Sequence, residues 1–223
     1  ETLAHDARLC QSATPFTSPA RPAIVPAKGG RMRILLVEDN LSLAEGLVTL
    51  LRQSGYAVDV VHDGASAEAL AAAESFDLVI ANHVLFYCDD IPSVLKEVRR
   101  VLAPGGRFLC SAYGKAHMQE VSQLVQDFDE RIVLSADRLY ERFGRENGQS
   151  ILAPFFPKAQ WLSYEDCLLV QDAEPLISYV LSCHGNQNQY ILDRYKEFRA
   201  YTARKTAKGF RITKDAGVFL CEK

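Results

Sequence analysis

The sequence predicts a three-layer α/β fold built on a doubly wound, mostly parallel sheet. Short apolar runs, "RILLV" (33–37), "AVDVV" (57–61) and "DLVI" (77–80), recur down the chain. Each has the length and branched character of a strand buried on both faces. Stretches with helical apolar spacing separate them, and such alternation argues right-handed crossovers in one parallel sheet. Sheets of this kind bind ligands beyond the carboxyl ends of their strands, so the residues just after each run carry the functional signal.

Taken in order, the first thirty-one residues carry four prolines, end near Gly29-Gly30, and show no hydrophobic period. They lack the charged start and apolar middle of a signal peptide and read as a disordered extension, 1–31, ahead of a single α/β domain, 32–223. "RILLV" is the first strand. In "LSLAEGLVTLLRQSGY", Leu43, Leu47, Leu50 and Leu51 stand at helical spacing, with Gly55 as the stop. "AVDVV" is the second strand, "ASAEALAAAE" an alanine-rich helix, and "DLVI" the third strand. Val94, Leu95, Val98 and Leu102 lie on one face of the next helix. The turn "APGG" ends that helix and feeds the strand "RFLCSA".

Composition removes several classes of function. A net charge of −3 gives no global pull toward nucleic acid or an anionic membrane, and no apolar run is long enough to span a bilayer. The six cysteines are scattered, without a C-x-x-C pair or a histidine at ligand spacing. Reduced thiols and a cytoplasmic location fit this pattern better than zinc or a disulfide framework. Cys110 and Cys221 sit inside strand-like runs as small buried hydrophobes.

After the first strand comes Glu38-Asp39-Asn40. Adjacent carboxylates at a strand end supply the converging oxygens that Mg²⁺ takes, and they equally suit a solvated loop entering a helix N-terminus. Residues 32–80, with "ILLVEDN" and "GYAVDVVHDGASA", resemble the first half of a response-regulator receiver domain. That resemblance implies Mg²⁺ on Glu38 and Asp39. It also implies a phosphoacceptor aspartate after "FDLVI", but Asn82 stands there, and an amide cannot form an acyl phosphate.

From residue 76 onward a second resemblance takes over. "FDLVIANHVLFY", the following helix and "RRVLAPGGRF" resemble the fourth strand, helix and fifth strand of class I S-adenosylmethionine-dependent methyltransferases. "YEDCLLVQDAEPLISYVLSC" and "RITKDAGVFLCEK" look like the late elements of that superfamily's small-molecule branch, so the likeness covers about 75–223. "FDLVI" serves both families, and the chain reads as a chimera crossing over near residue 80. The implied architecture is a Rossmann-like methyltransferase and flavodoxin-like hybrid. Its strand order is 2-1-3-4 followed by the late strands, and the last strand is antiparallel.

The methyltransferase resemblance implies an S-adenosylmethionine site, and the residues show what is left of it. The family cradles its cofactor with a glycine-rich loop after strand one, where glycine lets backbone approach the ligand. Here "LLVEDNLSL" has no glycine before Gly46, and Glu38, Asp39 and Asn40 would occupy the space. The acidic residue expected after strand two is replaced by His62, with Asp63 one step on as a substitute for the ribose contact. One wall carries over by position: Ala81, Asn82 and His83. His83 is the candidate general base on a substrate hydroxyl, and a lone strand-end histidine is the simpler assignment. Cofactor binding is therefore expected to be weak or absent. Ser111, ending "RFLCSA", either matches a receiver's hydroxyl beside Asn82 or simply closes its strand.

Within 131–210, Phe143, Phe155, Phe156 and Trp161 are candidates to enclose a small substrate, and "NQYILDRYKEFRAYTARK" reads as one long helix with a basic end. Three functions follow: a methyltransferase or its degenerate relative acting on a small molecule, a receiver-like module without its acceptor, or an inactive folded chimera. Nucleic acid and membrane are not expected partners.

Overall fold

The computed structural model describes residues 8–9, 31–62, 66, 75–134, 138–183 and 188–223. Its strands are β1 (Arg8–Leu9), β2 (Arg33–Val37), β3 (Ala57–Val61), β4 (Phe76–Ala81), β5 (Leu102–Tyr113), β6 (Gln160–Val170) and β7 (Phe210–Glu222). The helices are α1 (Leu41–Gln53), α2 (Ile91–Val101), α3 (Gln119–Phe128), α4 (Leu139–Arg142), α5 (Gly148–Leu152), α6 (Ala173–Ser182), α7 (Asn188–Leu192) and α8 (Tyr195–Thr206). One seven-stranded sheet runs β1-β6-β7-β5-β4-β2-β3. β2 pairs in parallel with β3 and with β4, and β4 pairs in parallel with β5, which reproduces the expected 2-1-3-4 order.

The last strand is antiparallel, as expected. Lys223 N donates to Gly106 O and Gly114 N donates to Asp215 O, so β7 runs backward as β5 runs forward. Two residues of the N-terminal extension, Arg8 and Leu9, pair antiparallel with Leu169 and Leu168 of β6. Apart from these and Arg31, the extension lies outside the described residues, as does most of the alanine-rich segment "ASAEALAAAE".

Strand β5 begins earlier than "RFLCSA" indicated, directly where α2 ends. Phe76 pairs with Leu102 and Leu78 with Arg107, so residues 103–106 form a bulge rather than a free turn. Gly105 takes φ 77°, a left-handed conformation open to glycine, and lets the strand resume its register. In α1 the buried stripe is Ala44 and Val48, with Leu47 and Leu51 packed beside it, whereas Leu43 and Leu50 are exposed. The expected leucine face is thus rotated by part of a turn. The single long helix expected over 188–205 is two, α7 and α8, broken at Asp193-Arg194.

Contacts divide the chain into two compact units. One comprises residues 17–112, 141–163 and 217–223. Met32, Ile34, Leu36, Val58 and Leu78 pack with Val48 in its core. Phe108 meets Phe156, and Phe219 meets both Phe143 and Trp161. Phe143 and Phe156 are fully buried, which makes them core aromatics of this unit rather than walls of a substrate space. The other unit comprises residues 1–16, 113–140 and 164–216. It centres on Val121, Leu124, Leu176, Ile177, Val180, Phe198 and Ile212. Among the described residues no helix is long and apolar enough to cross a membrane.

Candidate functional site

Strands β2, β4 and β5 lie side by side in parallel, so their carboxyl ends deliver Glu38, Asn82 and Ser111 to one edge of the first unit. The three side chains join in a line. Ser111 Oγ donates to Asn82 Oδ1 at 2.7 Å, and Asn82 Nδ2 donates to Glu38 Oε2 at 3.1 Å. The other carboxylate oxygen, Glu38 Oε1, accepts from Asn40 N at 3.1 Å. Glu38 is buried at 4% exposure and Ser111 at 8%. A buried carboxylate needs such donors, and here an amide and a backbone N–H supply them.

The Glu38 backbone is pinned as well as its side chain. Its N–H donates to Val61 O at 3.1 Å, and its carbonyl lies 2.8 Å from His62 Nδ1, tying the ends of β2 and β3 together. The chain then turns outward. Asp39 and Asn40 are exposed, and Asn40 Oδ1 caps α1 by accepting from Leu43 N at 3.0 Å. Of the three residues expected to occupy the loop space, Glu38 alone points inward. Glu38 and Asp39 therefore stand on opposite sides of the burial boundary. Among the described residues no group of three or more His, Cys, Asp or Glu could hold a metal ion.

Ala81, Asn82 and His83, expected to form a cofactor wall, stand at the end of β4. Ala81 is buried in the sheet, paired with Val37 and Cys110. His83 takes φ 50°, in the left-handed region, where histidine is tolerated better than a branched residue. Its backbone N donates to Ser111 Oγ at 2.9 Å, and its ring sits 6.3 Å from that of Phe86. Ser111 is thus the hub of this edge, accepting from His83 and donating to Asn82. The sequence signal for it was the hydroxyl closing "RFLCSA"; nothing in the sequence indicated the bend at His83. Asp63, the substitute ribose ligand, lies outside the described residues.

Chemically the Ser111–Asn82–Glu38 line is a hydrogen-bonded polar network. Asn82 suits Glu38 because its amide donates; an aspartate there would set two carboxylates together and call for a cation or a proton. The nearby thiols are poor nucleophiles. Burial pushes the Cys88 thiol up, with Arg142 opposing, and burial beside Cys221 pushes Cys110 well above the ordinary thiol value. The loop after β2 has no glycine before Gly46 and presents a fixed, buried carboxylate.

Comparison with known proteins places this geometry among relatives. A family model described as a methyltransferase domain matches residues 33–110, beginning at β2 and including the Glu38 loop. Malonyl-[acyl-carrier protein] O-methyltransferase of Methylococcus capsulatus is 38% identical over 86 residues, which are 36% of this chain and 30% of that protein. The chain spans 30% of the length of each of the first methyltransferases it matches in sequence. The transcriptional regulatory protein DltR of Streptococcus agalactiae is 40% identical over 163 residues, 72% of this chain and 70% of that protein. Among solved structures, a type II methyltransferase candidate from Anaeromyxobacter dehalogenans is similar over 85% of this chain and 89% of its own. Its TM-score of 0.52 at 18% identity is a likeness of fold.

Proposed function

We propose that this chain, which belongs with the transcriptional regulatory protein DltR and matches a methyltransferase-domain model over residues 33–110, joins the two characters. In this reading it is a methyltransferase-family protein, descended from enzymes acting on a small molecule, whose cofactor loop is replaced by a receiver-like one. S-adenosylmethionine binding is weak or absent and methyl transfer correspondingly slow or lost. The crossover lies near residue 80, inside a strand that both architectures share.

One observation carries this reading. The Glu38 carboxylate is buried at the strand end and held by Asn40 N and Asn82 Nδ2. Moving it aside would strand a buried charge and an amide donor together, at a cost of several kcal/mol. The test is thermal unfolding of the full chain with S-adenosylmethionine or S-adenosylhomocysteine at millimolar concentration. No upward shift is expected, because a ligand that binds the folded state must raise the midpoint by mass action. A rise of several degrees with either compound contradicts the reading.

The likeness to DltR supports a second reading, a receiver-like module without its acceptor that signals by contact and takes Mg²⁺ only if Glu38 gives up its present partners. A Mg²⁺-dependent midpoint in the same experiment, absent with Ca²⁺, favours it.

A further inference from the structure

We propose that the second unit holds a cage for a small methylated ammonium group, in a cavity at the carboxyl end of β5. The cavity, of about 90 Å³, is lined by Tyr113, Tyr140, Tyr179, His117, Met118 and Gly114 among others, and none of its lining residues is lysine or arginine. All belong to the unit made of residues 113–140 and 164–216 together with the N-terminal stretch. This proposal goes beyond the cofactor question and does not rest on it.

Three tyrosines line so small a space, and an aromatic ring attracts a cation within about 6 Å of its centre. The wall is built rather than incidental. Tyr113 and His117 stack at 4.2 Å between centroids with 28° between planes. Met118 takes φ 54°, and its N–H donates to Thr213 O at 2.8 Å, which holds the turn closed. The Tyr179 hydroxyl is directed to Met118 Sδ at 3.5 Å, so a polarizable sulfur joins the lining.

Charge points the same way. A Cβ at Gly114 would collide with the Asp215 carboxylate, so that carboxylate lies directly against the glycine in the wall. Asp215 Oδ2 accepts from Ala116 N at 3.3 Å, and its backbone carbonyl accepts from Gly114 N at 2.9 Å. Lys115, the basic residue of this turn, is exposed, and His117 is in the wall itself. A carboxylate against the wall of an aromatic-lined cavity suits a soft, poorly hydrated cation better than an anion. The size is the last constraint. An apolar cavity of about 150 Å³ accommodates benzene, so this one takes a head group rather than a whole metabolite. A trimethylammonium group is of that class.

The experiment titrates the full chain with tetramethylammonium chloride, followed by tyrosine ring NMR signals. Its neutral isostere, neopentane-like tert-butanol, is titrated in parallel at matched ionic strength. Saturable binding of the cation is expected in the millimolar range, about tenfold tighter than the neutral probe. Tyr140→Phe should keep that preference, since the ring face remains, and Tyr140→Leu should abolish it; circular dichroism reports that both variants fold. Asp215→Asn should weaken the cation severalfold and leave the neutral probe unchanged. Equal affinity for both probes would mean a merely apolar hole and overturn the proposal. No saturation by tetramethylammonium overturns it too, as does a Tyr140→Phe loss as large as that of Tyr140→Leu.

Discussion

Asn82 and Glu38 make the residue-scale case. The two meet because β2 and β4 are adjacent and parallel, and the amide donates to the carboxylate at 3.1 Å. Asn82→Asp removes that donor and sets a second negative charge at the same place. Two unit charges about 4 Å apart interact by on the order of 4 kcal/mol at an effective dielectric near 20. Relaxation and protonation reduce this, so a loss of about 2 kcal/mol in urea unfolding is expected at neutral pH, partly recovered by Mg²⁺. The unchanged chain should show no such Mg²⁺ recovery, and beryllofluoride or acetyl phosphate should leave Asn82 unmodified. A base-labile acyl phosphate on residues 32–82 would contradict this. The substitution of amide for acid was legible in the sequence, because a strand-end position can be counted from "FDLVI". That Glu38 turns inward while Asp39 and Asn40 turn outward was not. It follows from the helix cap at Asn40 and the partner amide across two strands, which spacing alone does not encode.

At the scale of single elements, α1 shows how a periodic pattern can be read on the wrong face. Leucines at 43, 47, 50 and 51 satisfy helical spacing, yet the packed stripe is Ala44, Leu47, Val48 and Leu51. Both stripes fit the period of 3.6, and only the tilt of the helix on β2 and β3 selects between them. Leu50→Ala, at 62% exposure, should change stability by no more than about 0.5 kcal/mol. Val48→Ala should cost about 1–3 kcal/mol by emptying core volume. Equal effects in urea unfolding would return the helix to the face first expected. Strand β7 makes a sharper demand. A Cβ at Gly217 would collide with Leu162 O and the Trp161 ring. Backbone cannot swing away as a side-chain tip does, so Gly217→Ala is expected to destabilise by about 2 kcal/mol or more. A neutral result would show that β6 can shift there at little cost.

For the molecule as a whole, the sheet is continuous across the proposed crossover. In the order β3-β2-β4-β5, strand β4 is paired on both sides. Residue 80 therefore lies within a two-sided parallel ladder. Limited proteolysis should not cut near residue 80; two stable fragments meeting there would contradict a shared sheet. The reversed last strand followed only from the resemblance to the methyltransferase family, whereas the alternation of strands and helices and the parallel first strands were legible in apolar runs and turn residues. The bulge at residues 103–106 was not, since a Pro-Gly-Gly stretch reads equally as a turn. The central claim is that a carboxylate, not a glycine loop, meets the cofactor's place. Isothermal titration of S-adenosylmethionine into the unchanged chain, and into a variant with residues 38–42 replaced by a glycine-rich loop, tests it most directly. The unchanged chain should show no binding tighter than about millimolar, and the variant should bind at least about tenfold tighter, a gain of about 1.4 kcal/mol. Micromolar binding by the unchanged chain, undiminished or weakened in the variant, would contradict the account and restore an active methyltransferase.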